Sequence, residues 1–275
     1  MFIHNIDPVL LSIGPFHIRY YGINYALALL IFIFLMRYLI GKYKMIDLTK
    51  DDVTDLAIYV FIGLVLGARL TYAIVYNFKL YMMDPIKIFY IWQGGMSYHG
   101  GLIGGITAGY IFARKKGIPV LTLSDAALIP ISLSMFLGRI TNFINGELVG
   151  RVTDLPWGVN FGGEMVNGAL VYRHPSQLYE AAKNLLIFCI LIYLYRKAWP
   201  SGFLTSAYIF MFGSLRFLVE FFRMPDQQVG YLLFHLTMGQ WLCIPMVFIG
   251  IGGMIYCRKR FIKASKRTKK DGKSR

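Results

Sequence analysis

Seven apolar runs, each about the length a helix needs to cross the hydrocarbon of a bilayer, restrict the fold of this chain more than any other feature. They lie at roughly 16–40, 53–77, 92–113, 119–144, 176–196, 202–222 and 234–257. The chain reads as an all-α polytopic membrane protein with about seven transmembrane helices. Composition agrees, because only 16% of residues are charged and 56% are hydrophobic, whereas soluble domains carry about 25% charged residues. The first run lacks a basic segment before it and is too long for the core of a cleavable signal, so it is expected to remain.

Basic residues orient the spans. Placing Lys42, Lys44, Lys50, Arg114, Lys115, Lys116, Arg196, Lys197 and every Lys and Arg from Arg258 onward on one side puts 18 there, against 6 on the other. The positive-inside rule then sets the N-terminus outside and the C-terminus in the cytoplasm. The net charge of +15 is concentrated in the tail "CRKRFIKASKRTKKDGKSR". That tail has almost no aromatic interleaving and points to no nucleic acid partner; it reads as an anchor on anionic lipid or as a disordered cationic end with no further task. Cys189, Cys243 and Cys257 lie in spans without CxxC spacing and read as core thiols.

Two segments between spans stand out. Residues 145–175 are rich in glycine and turn formers and are expected to form a small extracytoplasmic head. The stretch "NFKLYMMDPIKIFYIWQGG" has the aromatics and lysines of an interfacial segment. Gly101, Gly105 and Gly109 recur every four residues, as do Gly63 and Gly67, a spacing suited to close helix packing.

With this orientation the polar residues of the spans gather near the outer face. Arg139 and Asn142 end the fourth span, and Asn145 and Glu147 emerge from it. Arg216 and Glu220, four residues apart, end the sixth; Tyr21 and His99 begin spans one and three; Arg69 lies past the middle of span two. An ionisable group at membrane depth costs several kcal/mol unless it is paired or faces water, so the cluster reads as a functional site. A lone arginine could equally be a structural ion pair. Three arginines against Glu147 and Glu220 leave positive charge over, which an anion should fill. A guanidinium fork fits phosphate, and at this depth the commonest phosphate is a phospholipid headgroup.

On these residues the chain resembles the bacterial prolipoprotein diacylglyceryl transferase family. The resemblance rests on "GRITNFINGELVG" from Gly138, "MSYHGGLIGG" around His99, "YRHPSQLYEA" from Tyr172, "RFLVEFFRMPDQQ" from Arg216 and "LTMGQ" from Leu236. It covers nearly everything but the tail. Thr141 stands where the family usually has a second glycine, and Phe212 where many members have a tyrosine.

The resemblance implies an inner-membrane enzyme that moves the sn-1,2-diacylglyceryl group of phosphatidylglycerol to the lipobox cysteine of a prolipoprotein, releasing glycerol 1-phosphate. Residues 1–257 would form one membrane-embedded catalytic domain and 258–275 a basic cytoplasmic tail. No metal or other cofactor is expected. His99 would take the thiol proton, and Arg139 and Arg216 would hold the phosphate as its charge builds. Tyr21, Asn142, Asn145, Glu147 and Arg69 would help bind the headgroup, Glu220 would orient Arg216, and Gly150 would allow a tight turn into the head. A transporter or receptor for an anionic solute would use the same arginines without breaking a bond, but near the bilayer midplane. An intramembrane protease would need a Ser–His or paired-Asp arrangement, and the spans contain no such pair of aspartates.

Overall fold

The computed structural model describes residues 1–14, 16–197, 199–225 and 230–271. Asp226, Gln227 and Gln228 of the "RFLVEFFRMPDQQ" motif and residues 272–275 of the basic tail lie outside the described residues. The chain is mostly helical and divides into two compact units, Met1–Phe32 with Ser124–Arg275, and Ile33–Leu123.

Helix α1 spans Tyr20–Tyr43, and α2 spans Lys50–Thr71 and continues as a π-helical turn over Tyr72–Tyr76. A short α3 (Phe78–Met83) leads through two 3-10 turns to α4 (Tyr98–Lys115). Then come α5 (Val120–Ile144), α6 (Ser176–Tyr195), α7 (Phe203–Val219) and α8 (Met238–Asp271). Among the described residues, α1, α2 with its π turn, α5, α6 and residues Met238–Lys263 of α8 are long and apolar enough to cross a membrane. Seven such helices were expected and five meet the requirement. The run at 202–222 yields the 17-residue α7, and the run at 92–113 yields the 18-residue α4, diluted by five glycines and two basic residues.

In the unit Ile33–Leu123, α2 begins with a capping box. Thr49 Oγ1 accepts from the Asp52 N–H at 3.1 Å while Asp52 Oδ2 accepts from the Thr49 N–H at 2.9 Å, which satisfies two of the helix's orphan donors. The partner of α2 is α4, and glycine brings them together. A Cβ on Gly63 would lie 2.6 Å from the Gly104 carbonyl oxygen, and one on Gly67 would strike the Gly100 carbonyl. The close contact therefore runs through Gly100 and Gly104, one position away from the expected Gly101, Gly105 and Gly109 series, whose own surroundings leave ordinary van der Waals space.

In the other unit, α7 and α8 also meet at glycines: a Cβ on Gly213 would lie 2.9 Å from Met246 Cβ, and one on Gly250 would sit 2.5 Å from the Phe210 nitrogen. Buried Asp125 of α5 closes the N-terminus of α7 by accepting from the Gly202 N–H (2.7 Å), the Thr205 N–H (2.7 Å) and the Thr205 hydroxyl (2.6 Å). A chain expected to be all-α also contains small β pieces, before the first helix and within residues 145–175. Strands β1 (Phe2–His4) and β4 (Val159–Phe161) pair in parallel, β2 (Val9–Ile13) and β3 (Phe16–Arg19) form a hairpin, and so do β5 (Met165–Val166) and β6 (Ala169–Leu170). The last hairpin turns on Asn167 and Gly168, both at positive φ (51° and 79°), as a tight Asn-Gly turn requires.

Candidate active site

Arg139 lies near the C-terminal end of α5, and Arg216 lies in the last turn of α7. They come together on Glu180 of α6. Arg216 Nη1 donates to Glu180 Oε1 at 2.5 Å, and Arg139 Nε is 3.7 Å from Glu180 Oε2. Lys183, one turn along α6, donates to the same Oε2 at 2.8 Å, and its side chain is only 2% exposed. The Lys183 ammonium also rests 3.9 Å from the centre of the Phe212 ring. Phe212 thus offers its aromatic face to a buried cation.

Arg216 has a second carboxylate. Its Nη2 lies 2.7 Å from Glu220 Oε2, the pairing expected from their four-residue spacing. Buried Glu220 is held from the far side by the start of α8, where the Thr237 hydroxyl donates to Glu220 Oε1 at 3.0 Å. Thr237 and Gln240 form a capping box: the Thr237 N–H donates to Gln240 Oε1 at 3.0 Å and the Gln240 N–H donates to Thr237 Oγ1 at 3.3 Å. The "LTMGQ" motif therefore ends one helix against another's carboxylate. Gly239 must stay small, since a Cβ there would sit 2.8 Å from Glu220 Oε1.

Asn142, one turn after Arg139, organises a second group. Its Nδ2 donates to the Tyr21 hydroxyl at 2.8 Å and to Glu147 Oε1 at 2.6 Å. Burial pushes the Glu147 carboxyl above the ordinary glutamate range. The loop that carries Glu147 is fastened by α6: the Ser176 hydroxyl donates to the Leu148 carbonyl (2.8 Å) and Gln177 Nε2 to the Glu147 carbonyl (2.6 Å). Asn145 has a buried Nδ2 with no hydrogen-bond partner among the described residues. Thr141 spends its hydroxyl on the Leu137 carbonyl of its own helix, at 3.1 Å.

Gly150 works differently from the expectation. It has no positive φ; that backbone shape falls on Gly146 (66°) and Leu148 (56°). A Cβ at Gly150 would lie 2.5 Å from the His174 carbonyl oxygen and 2.6 Å from that of Phe222, so glycine is required there for close approach of three chain segments. The head is further tied by Arg173, whose Nε and Nη2 grip the Glu164 carboxylate at 2.7 and 2.6 Å.

Arg69 and His99 belong to the unit Ile33–Leu123. The expectation that Arg69 binds headgroup oxygens is corrected by its partners. All five of its N–H groups point at backbone carbonyls: Nε at Ile88 (2.8 Å), Nη1 at Gly94 (2.6 Å) and Gly95 (3.1 Å), and Nη2 at Lys87 (2.6 Å) and Tyr90 (3.1 Å). No donor is left for a ligand. His99 sits exposed in the first turn of α4, behind the N-cap Ser97, with its ring edge-on to Tyr98.

Sequence reasoning missed two members of the charged cluster. Counting Glu147 and Glu220 as the neutralising carboxylates leaves out Glu180, although "YEAAK" places Glu180 and Lys183 three residues apart in an otherwise apolar span. That spacing on one helix face was the available signal. Among the described residues no group of three or more His, Cys, Asp or Glu side chains is arranged to hold a metal ion.

The family model described as prolipoprotein diacylglyceryl transferase matches residues 8–256. A phosphatidylglycerol–prolipoprotein diacylglyceryl transferase of Geobacter sulfurreducens is 44% identical over 259 residues, which cover 93% of this chain and 97% of that protein. Proteins of the same name from Bordetella avium (44% over 257 residues, 90% of this chain and 92% of that one) and Vibrio parahaemolyticus (42% over 271 residues, 96% and 97%) are similarly close.

Proposed function

The chain belongs to the prolipoprotein diacylglyceryl transferase family, and on that premise we propose that Arg139 and Arg216 hold the phosphate of phosphatidylglycerol while a prolipoprotein cysteine attacks the lipid. The protein is a transferase of lipoprotein diacylglyceryl transfer, with phosphatidylglycerol and prolipoproteins as its substrates. The observation that carries the site assignment is the meeting of two guanidinium groups, from α5 and α7, on one buried carboxylate. A phosphodiester arriving at the pair replaces Glu180 as the acceptor, and the forks match its oxygens.

In the reaction the lipobox thiol gives its proton to His99, directly or through water, and the thiolate sulfur bonds to glycerol C3 of the diacylglyceryl group. The bond between C3 and the phosphate oxygen breaks, its electron pair stays on that oxygen, and glycerol 1-phosphate leaves. The phosphoryl group thereby gains negative charge, so preplaced cations stabilise the transition state more than the bound lipid. Tyr21, Asn142 and Glu147 form a hydrogen-bonded chain beside the arginine that positions the glycerol headgroup, and the unpartnered Nδ2 of Asn145 is a donor for it. Glu220, fixed by Thr237, sets the direction of Arg216. This chemistry asks for no metal or other cofactor.

The same reading places the chain in the bacterial inner membrane, with α4 and α7 completing seven spans, the N-terminus and residues 145–175 outside and the basic tail in the cytoplasm. The 18 to 6 division of basic residues supports that orientation. Incubating the purified full chain with phosphatidylglycerol and a lipobox peptide should give a diacylglyceryl adduct on the peptide cysteine by mass spectrometry. Arg139→Lys keeps the charge and loses the fork, so adduct formation should fall about a hundredfold or more. Normal turnover by the lysine variant removes Arg139 from the phosphate.

A further inference from the structure

Glu180 raises a difficulty for any anion that approaches these arginines. It is a buried carboxylate already bonded to Arg216 and close to Arg139, so it competes with a phosphate for both and repels it electrostatically. The difficulty is relieved by Lys183. Its ammonium holds Glu180 Oε2 at 2.8 Å, is itself buried, and is backed by the Phe212 ring. The joined ion pairs comprise Arg139, Lys183 and Arg216 against Glu180 and Glu220, which leaves one positive charge over. A phosphodiester headgroup carries one negative charge. Without Lys183 the cluster is already neutral, and Glu180 has only the two arginines to satisfy it.

We propose that Lys183 is a positioning residue for phosphatidylglycerol: it neutralises Glu180 from the side so that Arg139 and Arg216 can turn to the lipid phosphate, and it leaves the joined ion pairs with the one positive charge that phosphate can take up. Lys183 needs no contact with lipid to do this. It acts through Glu180, which lets go of the arginines without being left as an uncompensated buried anion. The inference rests on the phosphate-clamp reading above and adds a residue that the clamp itself does not include.

The test is a charge cycle read as KM for phosphatidylglycerol in mixed micelles, with kcat and thermal unfolding recorded for each variant. Lys183→Met should raise the lipid KM about tenfold or more, because the cluster loses its surplus charge. Lys183→Arg should stay near the wild type. Glu180→Gln with Lys183→Met restores one surplus positive charge, so the double variant should recover most of the lost lipid affinity even though it lacks both groups. Should Lys183→Met misfold, the double variant is compared directly with the wild type, and a KM within a few-fold supports the proposal. An unchanged KM in Lys183→Met overturns it, as does a double variant as weak as or weaker than the single one, the mark of a purely structural ion pair. If the wild type itself forms no diacylglyceryl adduct, the clamp reading falls and this inference with it.

Discussion

Arg69→Met separates the two tasks an intramembrane arginine can have. In the wild type its five N–H groups hold the carbonyls of Lys87, Ile88, Tyr90, Gly94 and Gly95, which fastens the segment between α3 and α4 to the end of α2. A hydrogen bond from a charged donor contributes about 1.5–3 kcal/mol net, so the gross figure for five is on the order of 10 kcal/mol. Four of these carbonyls belong to half-buried residues and one to an exposed glycine, and all can regain water when the segment lifts. A net loss of about 3 kcal/mol is therefore expected, equivalent to roughly a hundredfold rise in local opening. Hydrogen exchange reads this directly at the amides of Lys87, Tyr90, Gln93 and Gly94, which are bonded within the segment. Arg69→Lys, with three donors for five acceptors, should fall between. The reasoning is refuted if exchange in residues 84–95 is unchanged while the KM for phosphatidylglycerol rises, because Arg69 would then be serving lipid.

Other outcomes follow from the same geometry. His99→Asn should lower kcat by about a hundredfold or more; turnover at the wild-type rate in that variant would exclude an imidazole base. Gly150→Ala should lower thermal stability by a few kcal/mol, since three backbone segments would have to part, and circular dichroism in detergent reads the shift. The Arg173 guanidinium holds the Glu164 carboxyl below the ordinary glutamate range. A depressed carboxylate contributes stability that is complete above its unfolded value and is lost as pH falls through the lowered folded value. Protection of the β5 and β6 amides, corrected for the intrinsic exchange rate, should accordingly fall as pH drops below the ordinary glutamate range in the wild type, and Glu164→Gln should show that lower protection already at neutral pH.

Much of the site was legible because membrane depth makes charge conspicuous. Arg139, Arg216 and Glu220 stand out in apolar runs, and the i, i+4 spacing of the last two gave their pairing. Asn142 and Glu147 were legible as neighbours of Arg139 in sequence, whereas the link to Tyr21, 121 positions away, needed the packing of α1 on α5. Glu180 escaped because its i, i+3 spacing marks only Lys183 as a partner, while the two arginines that converge on it come from other helices. Arg69 was misjudged for the opposite reason: a sequence shows that a guanidinium is present, but a loop's carbonyls carry no compositional mark of their need for donors. Helix existence was readable from hydropathy, yet α4 and α7 fall short of the expected spans, since glycine and the limits of α7 shorten what a sliding reading joins. The β pieces of the head were invisible for want of length: no strand there exceeds three residues, so alternation has nothing to register.

The measurement closest to the central claim is a magic-angle-spinning experiment on the protein in phosphatidylglycerol, with nitrogen-15 in the arginine side chains and the lipid phosphorus observed. Two guanidinium groups should couple to one phosphorus, at distances compatible with hydrogen bonds of about 3 Å from nitrogen to phosphate oxygen, and one coupling should vanish in each of Arg139→Lys and Arg216→Lys. Coupling that persists in both variants, or lipid phosphorus that sees no arginine nitrogen while transfer proceeds, would contradict it.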